Sequence, residues 1–448
     1  MRYMRACKRS GITLDQVRFM VIGPLGLLHF FARSPVIFPF GIYAALLPFD
    51  NVLGLGAVGT LTRYFGIATV VAFLANRLIL AQGRFFKPPS VVWGWVAFLF
   101  LASFSSLWAL SPESTFRGLF TLTGLFLIYL CVGVYPVDKR EAEVLKSLII
   151  LGGSLAAACT LFLYVQGVTY RESIRASLIF GEERMADPNQ LATSLVLPLV
   201  LSLERLTRPN SFQKGWAFVS TALVLSAILL TGSRGGGLSA AIATLIFLWR
   251  ISKKLSKRLV IATGLVITAV VAILVLGFLP PNLLERFKLN VVLSSEGAGR
   301  FSIWKIGVYA YLNKPLLGYG YENFPYAYDL FYSQVPISYD PGIHRPAHNV
   351  YLQAFVEMGI IGGCLLLAVF WQHWRLVRRF SRMNPAWAAV EAILIGVLAA
   401  SLTVGNLYWK YFWLAFSLIL VLANAERRAN AGQTFANAVE GGGCHGIG

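Results

Sequence analysis

From residue 35 to residue 424 the chain is largely a series of apolar runs, roughly 17–24 residues long, parted by stretches carrying Gly, Pro or charge that are short except for one over 280–348. A helix of about 20 residues crosses the ~30 Å hydrocarbon core of a bilayer. Apolar segments of that length, repeated this often, fold as a bundle of membrane-spanning helices. Of 448 residues, 57% are hydrophobic and 13% charged, which is more apolar surface than a soluble chain could cover. A transmembrane barrel is excluded because its strands alternate apolar and polar residues, whereas these runs are continuous. The expected fold class is an all-α polytopic membrane protein. Breaks at Gly, Pro and charge divide it into about 12 transmembrane helices, over 35–50, 61–82, 91–110, 116–135, 144–166, 188–205, 215–232, 235–250, 258–279, 349–374, 386–404 and 408–424. Segment 16–32, with Arg18, Gly23-Pro24 and His29, reads as an interfacial or partly inserted helix, or as a thirteenth span.

Arginine and lysine set the orientation. With the N-terminus cytoplasmic, alternate loops hold Arg84/Lys87, Lys139/Arg140, Arg205/Arg208/Lys214, the group Arg250–Arg258 and the group Arg375–Arg382, and the tail has Arg427/Arg428. Both ends then lie inside, as the positive-inside rule asks at every crossing. The net charge of +19 thus belongs to cytoplasmic loops rather than to a nucleic-acid surface. The start, "MRYMRACKRS", lacks the small-residue cleavage site of a signal peptide. Five cysteines, Cys7, Cys131, Cys159, Cys364 and Cys444, sit at no metal-ligand spacing, so neither a zinc site nor a disulfide framework is indicated.

The frame is therefore a cytoplasmic or interfacial segment 1–34, helices one to nine over 35–279, one large outside loop over 280–348, helices ten to twelve over 349–424, and a cytoplasmic tail 425–448. The large loop is dense in Tyr, Phe and Trp, with helical spacing over 300–312 that stops near Lys314-Pro315. A long aromatic loop between tight hairpins points to function. Its rings suit either stacking on sugars or anchoring at the membrane interface.

Against a positive-inside background, the outside arginines are the informative ones: Arg184, Arg234, Arg300 and Arg345. Arg234 sits in a tight turn between two spans, followed by three glycines. A guanidinium there can pair bidentately with phosphate oxygens. The competing reading for each is a lipid-headgroup anchor, and for Arg184 a local ion pair with Glu182, Glu183 or Asp187. Arg171 and Arg175 read as surface charge. His348 and Asn349 open the tenth span, where a positive helix end disfavours imidazolium and leaves a neutral base. A structural histidine at the helix end is the alternative.

The run "AHNVYLQAFVEMGIIGG" resembles the signature of the O-antigen ligase and polymerase superfamily, through His348, Asn349, Leu352, Gln353, Glu357, Gly359 and Gly362. Three more pieces are similar in order and spacing: "RMADPNQLA" with Arg184, Pro188 and Asn189; "TGSRGG" with Arg234; and "GRFSIWKIGVYAYLNKPLLGYGYENF" with Arg300, Trp304, Pro315, Gly318 and Gly320. The resemblance covers roughly residues 35–425. It implies a glycosyltransferase of the C-type membrane architecture (GT-C) in the inner membrane of a Gram-negative bacterium, with its active site facing the periplasm. Such an enzyme moves a glycan from undecaprenyl pyrophosphate, and the ligase branch delivers O-antigen to lipid A–core. The implied reaction inverts the anomeric carbon and uses no metal, ATP or other cofactor. In that reading His348 is the base and Arg234 a second catalytic group. Arg184, Arg234 and Arg300 hold the donor pyrophosphate, and Asn349, Asn189 and Trp304 support them. His344 has no matching role.

Two other readings stay open. An O-antigen polymerase or a protein O-oligosaccharyltransferase shares these motifs and differs in acceptor; short loops over 349–424 favour the ligase. A twelve-span secondary transporter is a different class, but transporters commonly show two related halves and mid-bilayer sites. This chain lacks the repeat, and its intramembrane carboxylates are few, chiefly Glu357 and Glu391.

Overall fold

The computed structural model describes residues 34–56, 59–78, 87–181, 184–208, 211–252, 264, 288, 290–291, 299–384, 386–405 and 407–442. Segment 16–32, nearly all of the span expected at 258–279 and the first part of the outside loop lie beyond these. The helices are α1 (Ile37–Leu46), α2 (Leu61–Leu78), α3 (Ser90–Phe104), α4 (Pro112–Val134), α5 (Lys139–Val165), α6 (Pro188–Ser194), α7 (Val196–Leu206), α8 (Ser211–Leu230), α9 (Arg234–Ser252), α10 (Arg300–Asn313), α11 (Phe324–Phe331), α12 (Val350–Met383), α13 (Trp387–Ala400) and α14 (Lys410–Gly442). Among the described residues, β pairing is confined to two isolated bridges, Gly54 with Thr60 and Ile179 with Met185.

Among the described residues, six helical stretches are long and apolar enough to cross a membrane: Ser90–Leu107, α4, α5, Gln213–Leu230, α9 and α12, with shorter apolar helices at Ile37–Phe49 and α13. The chain is a polytopic helical membrane protein. Local chemistry sets the helix ends. Asp138 and Glu141 form a reciprocal capping box at the start of α5, and Ser111 caps α4 ahead of Pro112. The stretch expected as one span over 188–205 is two helices, α6 and α7, meeting at Leu195. Pro198 has no N–H for the Ser194 carbonyl, so the ladder breaks there. At the other extreme α14 runs beyond 424 to Gly442, through an Ala-rich sequence without proline that tolerates Gly432.

Two cores result. The larger joins the membrane helices around Trp95, whose ring lies 4.6 Å from that of Trp413 and meets Phe98, Phe370 and Phe416 edge-on. His373 is buried in it, its Nδ1–H bonded to the Val369 carbonyl at 2.9 Å and its Nε2 3.0 Å from the Tyr129 hydroxyl. The smaller is built by the aromatic loop itself: Ile303, Ile306, Tyr319, Phe324, Tyr328 and Phe331 pack with Ala347 and Val356. Much of the aromatic density that suggested sugar stacking is thus the core of this subdomain.

The subdomain docks on a break in α12. Met358 and Gly359 leave helical geometry, and the freed groups pair with residues 315–320 through Tyr319 N–H to Val356 O (3.1 Å), Gly320 N–H to Glu357 O (2.7 Å) and Ile360 N–H to Pro315 O (2.7 Å). The backbones touch so closely that a Cβ on Gly359 would lie 2.1 Å from the Leu316 carbonyl oxygen. The Glu357 carboxylate accepts the backbone N–H groups of Glu322 (2.9 Å) and Phe324 (3.1 Å) and the Gln353 amide (3.0 Å). The Glu-x-Gly stretch is therefore a docking joint that fixes α10 and α11 over the start of α12.

Candidate active site

The chain enters α12 through Asn349, whose side-chain oxygen accepts the Leu352 N–H at 3.0 Å as an N-cap. One residue earlier, His348 has φ of 49°. A residue with a Cβ pays roughly 1–2 kcal/mol for that left-handed geometry, so its surroundings must over-determine it. They do so from both sides. The Trp304 indole N–H donates to the Ala347 carbonyl at 2.9 Å, and the Val350 N–H to the Ser401 carbonyl at 2.9 Å. A strained residue pinned at both neighbours carries its ring in one fixed direction.

Burial, then the Arg300 guanidinium, with a smaller contribution from Arg345, pull the His348 imidazole down to about 4, while Asp187 works the other way. The ring is neutral near pH 7, as the sequence suggested. Burial and the arginines act here in the same direction as the helix end. Arg300 is the first residue of α10; burial and the Arg234 guanidinium weigh against its charge, and Asp187 supports it. Arg234 is the first residue of α9, half-buried. Its helix is capped by Ser233, whose hydroxyl accepts the Gly236 N–H at 3.2 Å. Gly235 and Gly236 let α9 close on its neighbours: a Cβ there would lie 2.2 Å from Thr403 Oγ1 and 2.4 Å from Ala192 Cβ. Three helices, α9, α10 and α12, thus begin around one locus. Their positive dipole ends add to two guanidinium groups, an arrangement suited to anionic oxygens.

Asp187 is the carboxylate in this field, and the sequence had offered it only as an ion-pair partner for Arg184. It caps α6 by accepting the N–H groups of Asn189 (2.8 Å) and Gln190 (3.1 Å). Asn189 in turn accepts Arg175 Nη2 at 2.9 Å, and Arg175 Nε donates to the Thr231 carbonyl at 2.8 Å. Arg175, expected as surface charge, instead ties the Asn189 helix to the turn that presents Arg234. Nothing in a bare "RESIRAS" signals this, because the partner is a backbone carbonyl 56 residues away. Arg184 lies on the hairpin closed by the Ile179–Met185 bridge. Its side chain is exposed and is not among the groups acting on Arg300 or His348. His344 pairs with Asp329 at 2.9 Å, and Arg345 Nε donates to the Pro341 carbonyl, so both brace the loop leading to His348. Among the described residues no three His, Cys, Asp or Glu side chains gather in a group that could hold a metal ion.

The arrangement can do two things at once: receive an anionic leaving group on Arg234 and Arg300, and take a proton on a neutral imidazole beside it. No curated relative matches the chain. Members of the O-antigen ligase family are glycosyltransferase-type enzymes that act on lipid-linked polysaccharides. The model of that family, O-antigen ligase, matches residues 219–367, a stretch containing Arg234, Arg300, Trp304, His348 and Asn349.

Proposed function

We propose that the protein is an O-antigen ligase, transferring O-antigen polysaccharide from undecaprenyl pyrophosphate to a sugar hydroxyl of lipid A–core and so completing lipopolysaccharide. The observation that carries this reading is a buried His348 acted on by Arg300, which in turn faces Arg234, all within the family-matched stretch. The imidazole removes the acceptor hydroxyl proton as its oxygen bonds to the anomeric carbon. The bond from that carbon to the pyrophosphate oxygen breaks, inverting the centre, and the electron pair leaves on undecaprenyl pyrophosphate. The guanidinium groups stabilise that charge, with Arg184 expected to reach the same pyrophosphate. Once the donor's negative charge offsets Arg300, the His348 ring becomes a stronger base, so donor binding prepares the proton transfer.

The proposal includes about 12 spans of C-type glycosyltransferase architecture, an inner-membrane location with both termini cytoplasmic, and a periplasmic site that works without metal or ATP. It is tested with purified protein in detergent, undecaprenyl-pyrophosphate-linked O-antigen and lipid A–core, in the presence of EDTA and without nucleotide. Transfer to core is the expected result. Growth of the lipid-linked glycan without transfer to core would instead mark a polymerase, and transfer onto a protein an oligosaccharyltransferase.

A further inference from the structure

Away from the histidine, a cavity of about 480 Å³ opens between α2 and α4, lined by apolar groups such as Val70, Phe120, Leu127 and Ile128, with Gly66 and Gly124 in its walls. It faces outward: Ile67, Val71 and Phe120 around it are 52%, 57% and 72% exposed on the lipid-facing side of the bundle. Its polar end carries two cations, Arg63 and Lys410. Lys410 is spoken for, its ammonium donating to Asp50 (2.7 Å), Thr60 (2.8 Å) and Thr62 (2.8 Å). Arg63 differs: it is exposed, lies 5.7 Å over the Phe120 ring, and forms no ion pair among the described residues. An apolar slot beginning at an arginine matches one ligand chemistry, a hydrocarbon chain ending in phosphate.

The slot also leads toward the site. Lys410 separates it from a polar cavity of about 260 Å³ lined by Asp50, Ala186, Gln190 and Tyr411. Ala186 and Gln190 flank Asp187, the carboxylate that acts on Arg300 and His348, and Gln190 is bonded to Asn51 at 2.7 Å. A bulk phospholipid has no reason to lie beside that entrance, whereas the donor's lipid must. We infer that the α2–α4 cavity holds the phosphate-proximal isoprenoid units of the donor, with Arg63 at the phosphate end. This rests on the proposed function for the donor's identity.

Gly124 makes the test clean, because a Cβ there meets nothing within 4 Å. Gly124→Leu therefore folds and fills the slot. The probe is a photoreactive undecaprenyl phosphate in nanodiscs, with crosslinking read on α2 and α4, alongside donor kinetics. Gly124→Leu should cut probe labelling and raise the donor KM, each about tenfold, with kcat at saturation nearly unchanged. Arg63→Gln should erase the preference for undecaprenyl phosphate over undecaprenol. His348→Ala should label normally while failing to transfer. Wild-type labelling in Gly124→Leu, or competition by phosphatidylglycerol as strong as by unlabelled undecaprenyl phosphate, overturns the inference. Specific labelling of a wild-type protein that transfers no glycan would count against the proposed function and leave the lipid site standing.

Discussion

The two ends of the helix bundle treat charge in opposite ways. At the basic end cations are matched by acids within bonding distance. Lys146 meets Glu143 at 2.6 Å and Glu204 at 3.0 Å, Arg208 meets Glu143 at 2.6 Å and Glu204 at 2.8 Å, and Arg250 and Arg378 share Glu391 at 2.9 and 3.0 Å. At the other end Arg300 faces Arg234, and the carboxylate in their field, Asp187, is committed to capping α6. Matched charges hold helices together. Guanidinium groups gathered at helix starts favour an anion that arrives among them.

The widest break in that comparison is His348→Ala. Loss of the base should reduce transfer by about 10²–10⁴, with thermal unfolding in detergent nearly unchanged, since alanine keeps the Cβ and with it the left-handed strain. Near-normal ligation by this variant in cells or in vitro would remove His348 from the chemistry.

Arg300→Gln comes next, at a cost of roughly 10²–10³ in kcat. Its pH behaviour sharpens the point. With the ring at about 4 in the free protein, kcat/KM should stay level as pH falls through 6.5, the range in which an unperturbed histidine gains its proton, and decline only near the lower value. Removing the Arg300 charge raises the imidazole toward its ordinary value, so the acid limb should move up. A wild-type limb already at 6.5 would mean a solvated ring unaffected by arginine.

Glu204→Gln probes the basic end, where stability rather than chemistry is at stake. Lys146 and Glu204 are both buried, and losing one partner of a buried pair costs roughly 3–5 kcal/mol. Because Lys146 keeps Glu143, the loss here should be nearer about 2 kcal/mol, seen as a lower Tm, with turnover per folded molecule unchanged. A fall in kcat without a fall in Tm would erase the contrast between the two ends.

Apolar run length made the described candidate spans legible. Arg234 and Arg300 stood out as charges in loops read as outside, and His348 through its place with Asn349 at the start of an apolar run. Pairings between distant segments were not legible. Glu357 and Glu391 stood out only as the few intramembrane carboxylates; one receives the docking loop's N–H groups and the other joins Arg250 to Arg378. Arg175 and Asp187 were passed over because their roles depend on which helix starts meet in space. Arg184 shows the reverse: a motif position whose side chain the fold leaves exposed.

Asn349 gives the smallest and most discriminating effect. Its side chain caps α12 with one hydrogen bond to Leu352, and its own neighbour is the strained His348. Asn349→Ala removes the cap at a cost of roughly 1 kcal/mol. Where that cost falls on the geometry of His348, transfer should slow by about fivefold. Asn349→Ser and Asn349→Asp both retain an oxygen for the Leu352 N–H and should recover the Tm. They differ at the site: Asp adds a negative charge beside His348, raising the imidazole and moving the acid limb up, whereas Ser leaves it in place. Recovery of both Tm and transfer by Ser fits a residue that only caps. Recovery of Tm alone would show that the amide itself touches substrate.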